Sequence, residues 1–213
     1  MHVEVDCWKK FSEFISDVKD PRTTRTIRYV YRGLSNYSYE LKPGIGRIIK
    51  DRNDGCPQFS SFQPALERNI FQEFKDRAAA HFPDSERSDM EWLVLARHHF
   101  LPTRLLDWTW SPLVAAYFAV EDDLDKCDAA IVRVKLGEFW VRQSWDKFDP
   151  FAIEEDCFYY PKFSSPRIIA QSGLFSIHPK PNQKFEAKSD RYKIKGSFRR
   201  ELKTRLAFLG IHR

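Results

Sequence analysis

What this sequence lacks narrows its identity first. Its longest apolar run, Leu113–Val120, is far short of the ~20 residues that a membrane-spanning helix needs. Its start, MHVEVDCWKK, lacks the basic-then-apolar layout of a signal peptide, which predicts a cytoplasmic protein. Cys7, Cys56, Cys127 and Cys157 are scattered and form no CxxC pair. They read as reduced structural thiols, and suggest neither a disulfide frame nor a zinc site. There is no HExxH, Walker loop, GxGxxG or GxSxG. A zinc protease, a P-loop nucleotidase, a Rossmann dehydrogenase and an α/β-hydrolase are therefore not expected. His98 and His99 are adjacent, and on a helix they point about 100° apart. They cannot chelate one ion as an i, i+4 pair would, so no metal is expected. No internal repeat or low-complexity segment is present.

What is there describes a globular chain. The 213 residues are 42% hydrophobic, 15% aromatic and 31% charged, enough to bury a proper core. A single domain over 1–213 is expected. The net charge of +5 is unevenly spread. Residues 1–161 carry 22 Lys+Arg against 27 Asp+Glu, whereas 162–213 carry 13 against 3. That C-terminal surplus reads either as a docking surface for an anionic target or as a solvated basic face.

Periodicity supplies the elements. Trp8, Phe11, Ile15 and Val18 form one helical stripe within an N-terminal helical segment (1–25), capped by Asp6 and stopped by Pro21. Thr26–Arg32 alternates as a strand ending at Gly33. Leu41–Gln63 reads as a loop. Pro64 opens a helix with Leu66, Ile70, Phe74 and Ala78 at core spacing. Ser88 and Glu91 form a capping box for a helix from Asp89 to about His99. Leu105–Thr109 reads as a buried strand, and Ser111-Pro112 as the cap and first turn of LVAAYFAV. That helix is apolar on every side and belongs at the centre of a domain. Ala129–Leu136 and Leu174–Ile177 read as strands. A last helix, Phe198–Leu209, turns Phe198, Leu202, Leu206 and Leu209 inward, and Arg199, Arg200, Lys203 and Arg205 outward.

The chemistry-bearing residues concentrate in Arg97–Ala119. Charged side chains among so many apolar ones need partners. An Arg104–Asp107 pair is the simplest structural answer. The alternative is a polar cleft floor, with hydroxyls from Thr109 and Ser111 and an anion at the helix N-terminus. His98 is a candidate acid or base, as its ordinary pKa lies near 6.5, although a lone histidine on a helix is more often a satisfied core residue. Arg32, ending a strand before Gly33, suits a bidentate phosphate clamp; a structural ion pair is the plainer reading. Gln171-Ser172-Gly173 precedes a late strand and places a polar side chain where it could enter a cleft.

These blocks resemble the FRG domain family, named for a Phe-Arg-Gly motif. The residues that carry the likeness are Tyr31-Arg32-Gly33, Glu91-Trp92-Leu93 leading to His98, Leu101 to Thr109, Ser111-Pro112-Leu113 running to Tyr117-Phe118-Ala119, and Gln171 to Phe175. The likeness covers about 26–210, including the basic segment 162–213. Arg97 stands where the family usually shows Gln, and Phe100 where Gly is common. Members of the family are mostly bacterial or phage-borne.

The order of blocks is also similar, more weakly, to ADP-ribosyltransferases. That similarity implies an α+β domain of mixed, mostly antiparallel sheets in a split arrangement, with surrounding helices and one buried central helix. It implies NAD as substrate: Arg32 and Gly33 at the phosphates or ribose, Arg104, Thr109 and Ser111 in the pocket, Tyr117 behind it, and Gln171 on the nicotinamide ribose. His98 or Asp107 would supply the base that an amide such as Gln171 cannot. The expected function is transfer of ADP-ribose to a nucleic acid or protein, as a toxin or phage-defence effector. Arg199, Arg200, Lys203 and Arg205 would then meet a nucleic acid. A non-catalytic nucleic-acid or anion-binding module using that basic face is the alternative. An enzyme acting on another phosphate-bearing substrate, with His98 as acid or base, is a third reading.

Overall fold

The computed structural model describes residues 2–16, 29–51, 64–82, 87–122, 127–138, 141–142, 149–161 and 173–212. In chain order the strands are β1 (His2–Val5), β2 (Tyr29–Leu34), β3 (Leu105–Thr109), β4 (Ala129–Lys135), β5 (Val141–Arg142), β6 (Cys157–Tyr159), β7 (Gly173–Ile177) and β8 (Ser189–Ile194). The helices are α1 (Trp8–Ser16), α2 (Gly44–Asp51), α3 (Pro64–Ala79), α4 (Asp89–His98), α5 (Pro112–Val120) and α6 (Gly196–Phe208). The fold is α+β. One eight-stranded sheet runs in the order β1-β8-β4-β2-β3-β7-β6-β5. Its pairings are antiparallel except β1 with β8 and β5 with β6.

The sheets expected as separate are therefore two halves of one. On one side, β2 pairs with β4 over six residues, Tyr29 to Leu34. On the other, β3 pairs with β7 over its full length. The halves are joined by a single pair, Tyr31 opposite Thr109.

Each half has helices on the same face. Alternation on β2, β4 and β8 turns Tyr31, Ala129, Ile131, Tyr192 and Ile194 toward α1, α5 and α6. α5 is the buried central helix, as its uniform apolarity predicts, with Ala115, Ala116, Ala119 and Val120 buried. On the other half, Leu105, Cys157, Tyr159, Phe175 and Ile177 face α3 and α4. The opposite face of the whole sheet holds Val30, Leu106, Trp108, Val132, Phe158 and Leu174, covered by Leu41 and Phe185 from connecting segments. Each such buried aliphatic or aromatic side chain stabilises by about 1.5–3 kcal/mol.

The predicted caps hold. Ser88 accepts from the Glu91 amide while Glu91 accepts from the Ser88 amide, so α4 begins at Asp89. Ser111 Oγ accepts from the Val114 amide, and Pro112 opens α5. Three local expectations fail. The loop read over Leu41–Gln63 contains α2. The stripe of α3 is as expected at Phe74 and Ala78, but Glu67 and Phe71 are buried in place of Leu66 and Ile70, with Glu67 pairing with a buried arginine. On α6, Arg199 is buried at 1% exposure whereas Leu209, just past the helix, is 55% exposed. Val18, Pro21 and the start of the Thr26–Arg32 strand lie outside the described residues. No helix among the described residues is long and apolar enough to cross a membrane.

Candidate functional site

A cleft of about 310 Å³ opens where β2 and β3 part beyond their single pair. β2 supplies Arg32, Gly33 and Leu34, β3 supplies Asp107, Trp108 and Thr109, and β7 supplies Gly173, Leu174 and Phe175. The C-terminal end of α4 adds Arg97 and His98, with Phe100 just beyond it. Arg47 of α2, Tyr39 and Phe118 complete much of the rim. The lining takes residues of both strand parities. It therefore runs through the gap between the strands rather than lying on one face.

Gly33 sets the geometry of the first wall. A Cβ there would lie 2.1 Å from the Ala115 carbonyl oxygen and 2.6 Å from the Ala119 nitrogen. Only glycine lets α5 rest directly on β2, and that contact fixes the backbone from which Arg32 projects. Arg32 Nη1 donates to the Asp107 main-chain oxygen at 2.5 Å and approaches Asp107 Oδ2 at 3.4 Å. Arg97 Nε and Nη2 donate to the same Oδ2 at 3.2 and 2.7 Å. Desolvation pushes the Asp107 carboxyl upward, but the charges and hydrogen bonds of Arg97 and Arg32 outweigh it and hold its pKa below the usual carboxylate value. Burial, with the nearby charges of Arg97 and Arg47, lowers the pKa of Arg32, which still keeps its proton at neutral pH. Arg32 Nε is buried with no hydrogen-bond partner among the described residues.

Three guanidinium groups thus face the cleft, against the single carboxylate of Asp107 among its described lining residues. The surplus is positive, and an anion entering there would relieve repulsion among the arginines. The rest of the wall is mostly aromatic or apolar, with Ser35 and Thr109 adding hydroxyls. His98 stands edge-on to Phe175, their ring centres 6.2 Å apart. Thr109 Oγ1 accepts from the Ser111 amide, which pins the chain turning from β3 into α5.

Of the residues singled out from sequence, Arg32, Gly33, His98, Asp107 and Thr109 meet in this cleft. Gln171 lies outside the described residues. Arg104 is corrected most sharply. It is 2% exposed, does not line the cleft, and pairs with Glu67 of α3 rather than Asp107. Its Nε and Nη2 reach the two Glu67 oxygens at 3.0 and 2.5 Å. Arg104 stands just before β3 and is taken by Glu67 of α3, while Asp107 within β3 is taken by Arg97 and Arg32. Ser111 and Tyr117 do not line the cleft either. Ser111 caps α5, and the Tyr117 hydroxyl reaches Glu121.

Sequence reasoning missed Arg97, Arg47 and Tyr39. Arg97 is the penultimate residue of α4, where a cation also favours the helix dipole, so its position carries no separate signal. Arg47 sits in a segment read as loop. A second arrangement was also missed. Ser176 Oγ lies 2.7 Å from His178 Nε2, and His178 Nδ1 lies 2.8 Å from Asp156 Oδ1. The order imitates a hydrolase triad, but Ser176 is fully buried and its oxygen accepts from Trp108 Nε1 at 2.8 Å. The chain is a brace behind the cleft wall, since no substrate carbonyl could reach that hydroxyl.

The basic C-terminal quarter is not a uniform outward face. Arg199, expected outward, donates to the carbonyls of Ser35, Asp122 and Cys127 and ties α6 to two connecting segments. Lys203 donates to the Glu121 carbonyl. Arg205 pairs with Glu201 and stacks on Trp8, while Lys193 and Lys195 pair with Asp128. Arg200 is exposed. No group of three or more His, Cys, Asp or Glu side chains suited to a metal ion occurs among the described residues.

No curated protein and no solved structure matches the chain. The family comparison does match, over the span that contains β2, α4, β3 and α5 and therefore most of the cleft's walls: residues 27–128 match the FRG domain.

Proposed function

We propose that the cleft binds NAD and that the protein is an ADP-ribosyltransferase-like enzyme, transferring ADP-ribose to a protein or nucleic acid. The observation that carries this reading is the meeting of Arg32, Arg97 and Arg47 in a cleft whose lining also includes the aromatic residues Tyr31, Tyr39, Trp108, Phe118 and Phe175. A dinucleotide presents both a diphosphate and flat rings. Guanidinium groups suit the first, being planar, permanently charged and able to form paired hydrogen bonds. Apolar and aromatic walls suit the second.

Arg32 and Arg97 would hold the diphosphate, with Arg47 at the open side. Arg32 Nε offers a donor that no described residue uses. When bound, NAD supplies an activated bond between nicotinamide and ribose, whose breaking leaves positive charge on the sugar. Asp107 is the anionic group in the cleft that could stabilise such charge, and its depressed pKa keeps it ionised across the neutral range. His98 sits where a neutral imidazole could take a proton from an incoming nucleophile. Thr109 and Gly33 shape the floor, and Gln171 remains a candidate for the ribose hydroxyls. A toxin or phage-defence role would follow from such an activity, and the chemistry itself requires neither.

The test is direct. The protein is incubated with NAD labelled in its adenylate half, together with mixed DNA, RNA and lysate protein. Free nicotinamide and label transfer are then measured. The expected outcome is nicotinamide release that Arg32→Ala reduces at least tenfold. A wild-type protein that neither binds nor turns over NAD would sink the reading.

A further inference from the structure

We infer that His178 is a positioning residue for the cleft: through Ser176 it fixes the ring of Trp108 in the cleft wall, and ligand affinity depends on that hold. The inference rests on the nucleotide reading above and deepens it. The placement follows from the sheet register. Trp108 stands opposite Leu174. Side chains two positions apart on a strand share a face, so Ser176 lies with Leu174 on the face that holds Trp108, on the diagonal from it. His178 follows β7 directly and Asp156 directly precedes β6. The two meet because β6 and β7 are paired as far as Cys157 opposite Ile177.

Three hydrogen bonds run along this row. Trp108 Nε1 donates to Ser176 Oγ at 2.8 Å, Ser176 Oγ lies 2.7 Å from His178 Nε2, and His178 Nδ1 lies 2.8 Å from Asp156 Oδ1. Their direction is set at the indole, whose N–H can only donate. Ser176 then has its own proton to give to His178 Nε2, and the ring gives its Nδ1 proton to the Asp156 carboxylate. Each proton in the row has an acceptor. Ser176 and His178 are fully buried, while the outer end, the Asp156 side chain, is 36% exposed. The His178 main chain is held as well, since its carbonyl accepts from Arg104 Nη1 at 3.5 Å.

Packing alone does not call for this row. The surrounding face is apolar, with Leu106, Phe158, Leu174 and Phe185 among its members. Burying a serine and a histidine there has a cost that their hydrogen bonds offset, and Phe158 fills the same face with no polar side-chain atom. What the row adds is direction. Trp108 meets Phe158 and Phe185 at ring-centre distances of 5.7 and 6.2 Å, contacts that hold a ring in place without selecting its polar edge. The bond to Ser176 selects that edge. Trp108 lies between Asp107 and Thr109, and all three line the cleft. A turned indole would therefore reshape the wall beside the carboxylate that Arg32 and Arg97 share.

The experiment uses variants that break different links. His178→Asn puts an amide at the place of Nδ1, keeping Asp156 and losing Ser176. His178→Gln puts one at the place of Nε2, keeping Ser176 and losing Asp156. Ser176→Ala removes the acceptor and leaves the imidazole, which keeps the inference testable if neither His178 variant folds. NAD binding is measured calorimetrically and stability by urea unfolding. Solvent exchange of the Trp108 indole N–H, identified by its loss in Trp108→Phe, is followed by NMR. Both His178 variants lose the ring and should be destabilised alike. His178→Asn and Ser176→Ala are expected to speed exchange of the indole N–H and to weaken NAD binding about tenfold. His178→Gln retains both the slow exchange and the NAD affinity. A purely structural role would lower affinity in step with stability, so equal NAD affinity in the Asn and Gln variants overturns the inference. Unchanged indole exchange in His178→Asn and Ser176→Ala overturns it too. Wild type that binds no NAD ends the nucleotide reading and the claim on affinity with it, and indole exchange then decides whether His178 holds Trp108.

Discussion

Arg32 Nη1 donates to the main-chain oxygen of Asp107 at 2.5 Å, across the gap that opens once Tyr31 and Thr109 have made the only pair between β2 and β3. A strand carbonyl normally takes its hydrogen bond from the neighbouring strand. Here a side chain takes that place, and the parted strands become the walls of a cleft. Replacing Arg32 with alanine should therefore do two things. It should destabilise the fold by about 1–3 kcal/mol through the abandoned carbonyl, and weaken NAD binding at least tenfold. Urea unfolding and calorimetric titration measure the two effects separately. Unchanged affinity would place the nucleotide elsewhere.

Gly33 governs the same wall from behind. A Cβ at this position meets α5 backbone atoms at 2.1, 2.6 and 3.0 Å, and none of these can swing aside as a flexible side chain can. Gly33→Ala should destabilise by about 1–3 kcal/mol or prevent folding outright. Gly137→Ala is the control, because its Cβ would meet only the Lys135 Cε at 4.0 Å. Melting curves of the two variants should differ clearly; equal values would show that α5 is less firmly seated than the geometry implies.

Asp107 links the arginines to pH. Its pKa in the folded protein lies below the ordinary 3.8, so its ionised form contributes stability in full above that value. The contribution is lost as the pH falls through the lower folded pKa. The stability difference between wild type and Asp107→Asn should hence be constant from neutral pH down to about 5, and shrink only in the acid range below 3.8. Urea midpoints measured across that range test the sign. A difference that grows on acidification would contradict it.

Arg104 and Glu67 give the opposite kind of test, since they are buried at 2% and 3% exposure and lie outside the cleft. Arg104→Met alone strands a buried carboxylate and should cost about 3–5 kcal/mol. Combining it with Glu67→Leu should recover most of that loss. Where the variants fold, NAD affinity should be unaltered. A selective loss of affinity at unchanged stability would return Arg104 to the binding site.

Much of the frame was legible residue by residue. Ser88 with Glu91 and Ser111 with Pro112 announced α4 and α5, because a cap is a contract among neighbours three residues apart. Leu105–Thr109 was read as β3 to its exact ends. The last helix was recognised, but Arg199 was turned the wrong way. A long arginine satisfies three carbonyls of distant segments, and no local rule encodes those partners. β5, β6 and β8 are not legible in the sequence, and β1 falls within the 1–25 segment that the sequence reads as helical, although His2–Val5 is a strand. β5 and β6 are only two and three residues long, and their pairing is nonlocal.

The sequence by itself determined which residues carry charge within an apolar stretch, where the central helices begin, and that Arg32 ends a strand against a glycine. Those facts depend on neighbours in the chain. Only the tertiary structure decided which partner each charge takes. Asp107 went to Arg97 and Arg32, and Arg104 went to Glu67 37 positions away. It also decided that β2 and β3 would touch once and then part. Ion pairing and strand separation depend on distances through space, set by how helices pack on the sheet, and alternation along one strand fixes only the side on which each residue waits.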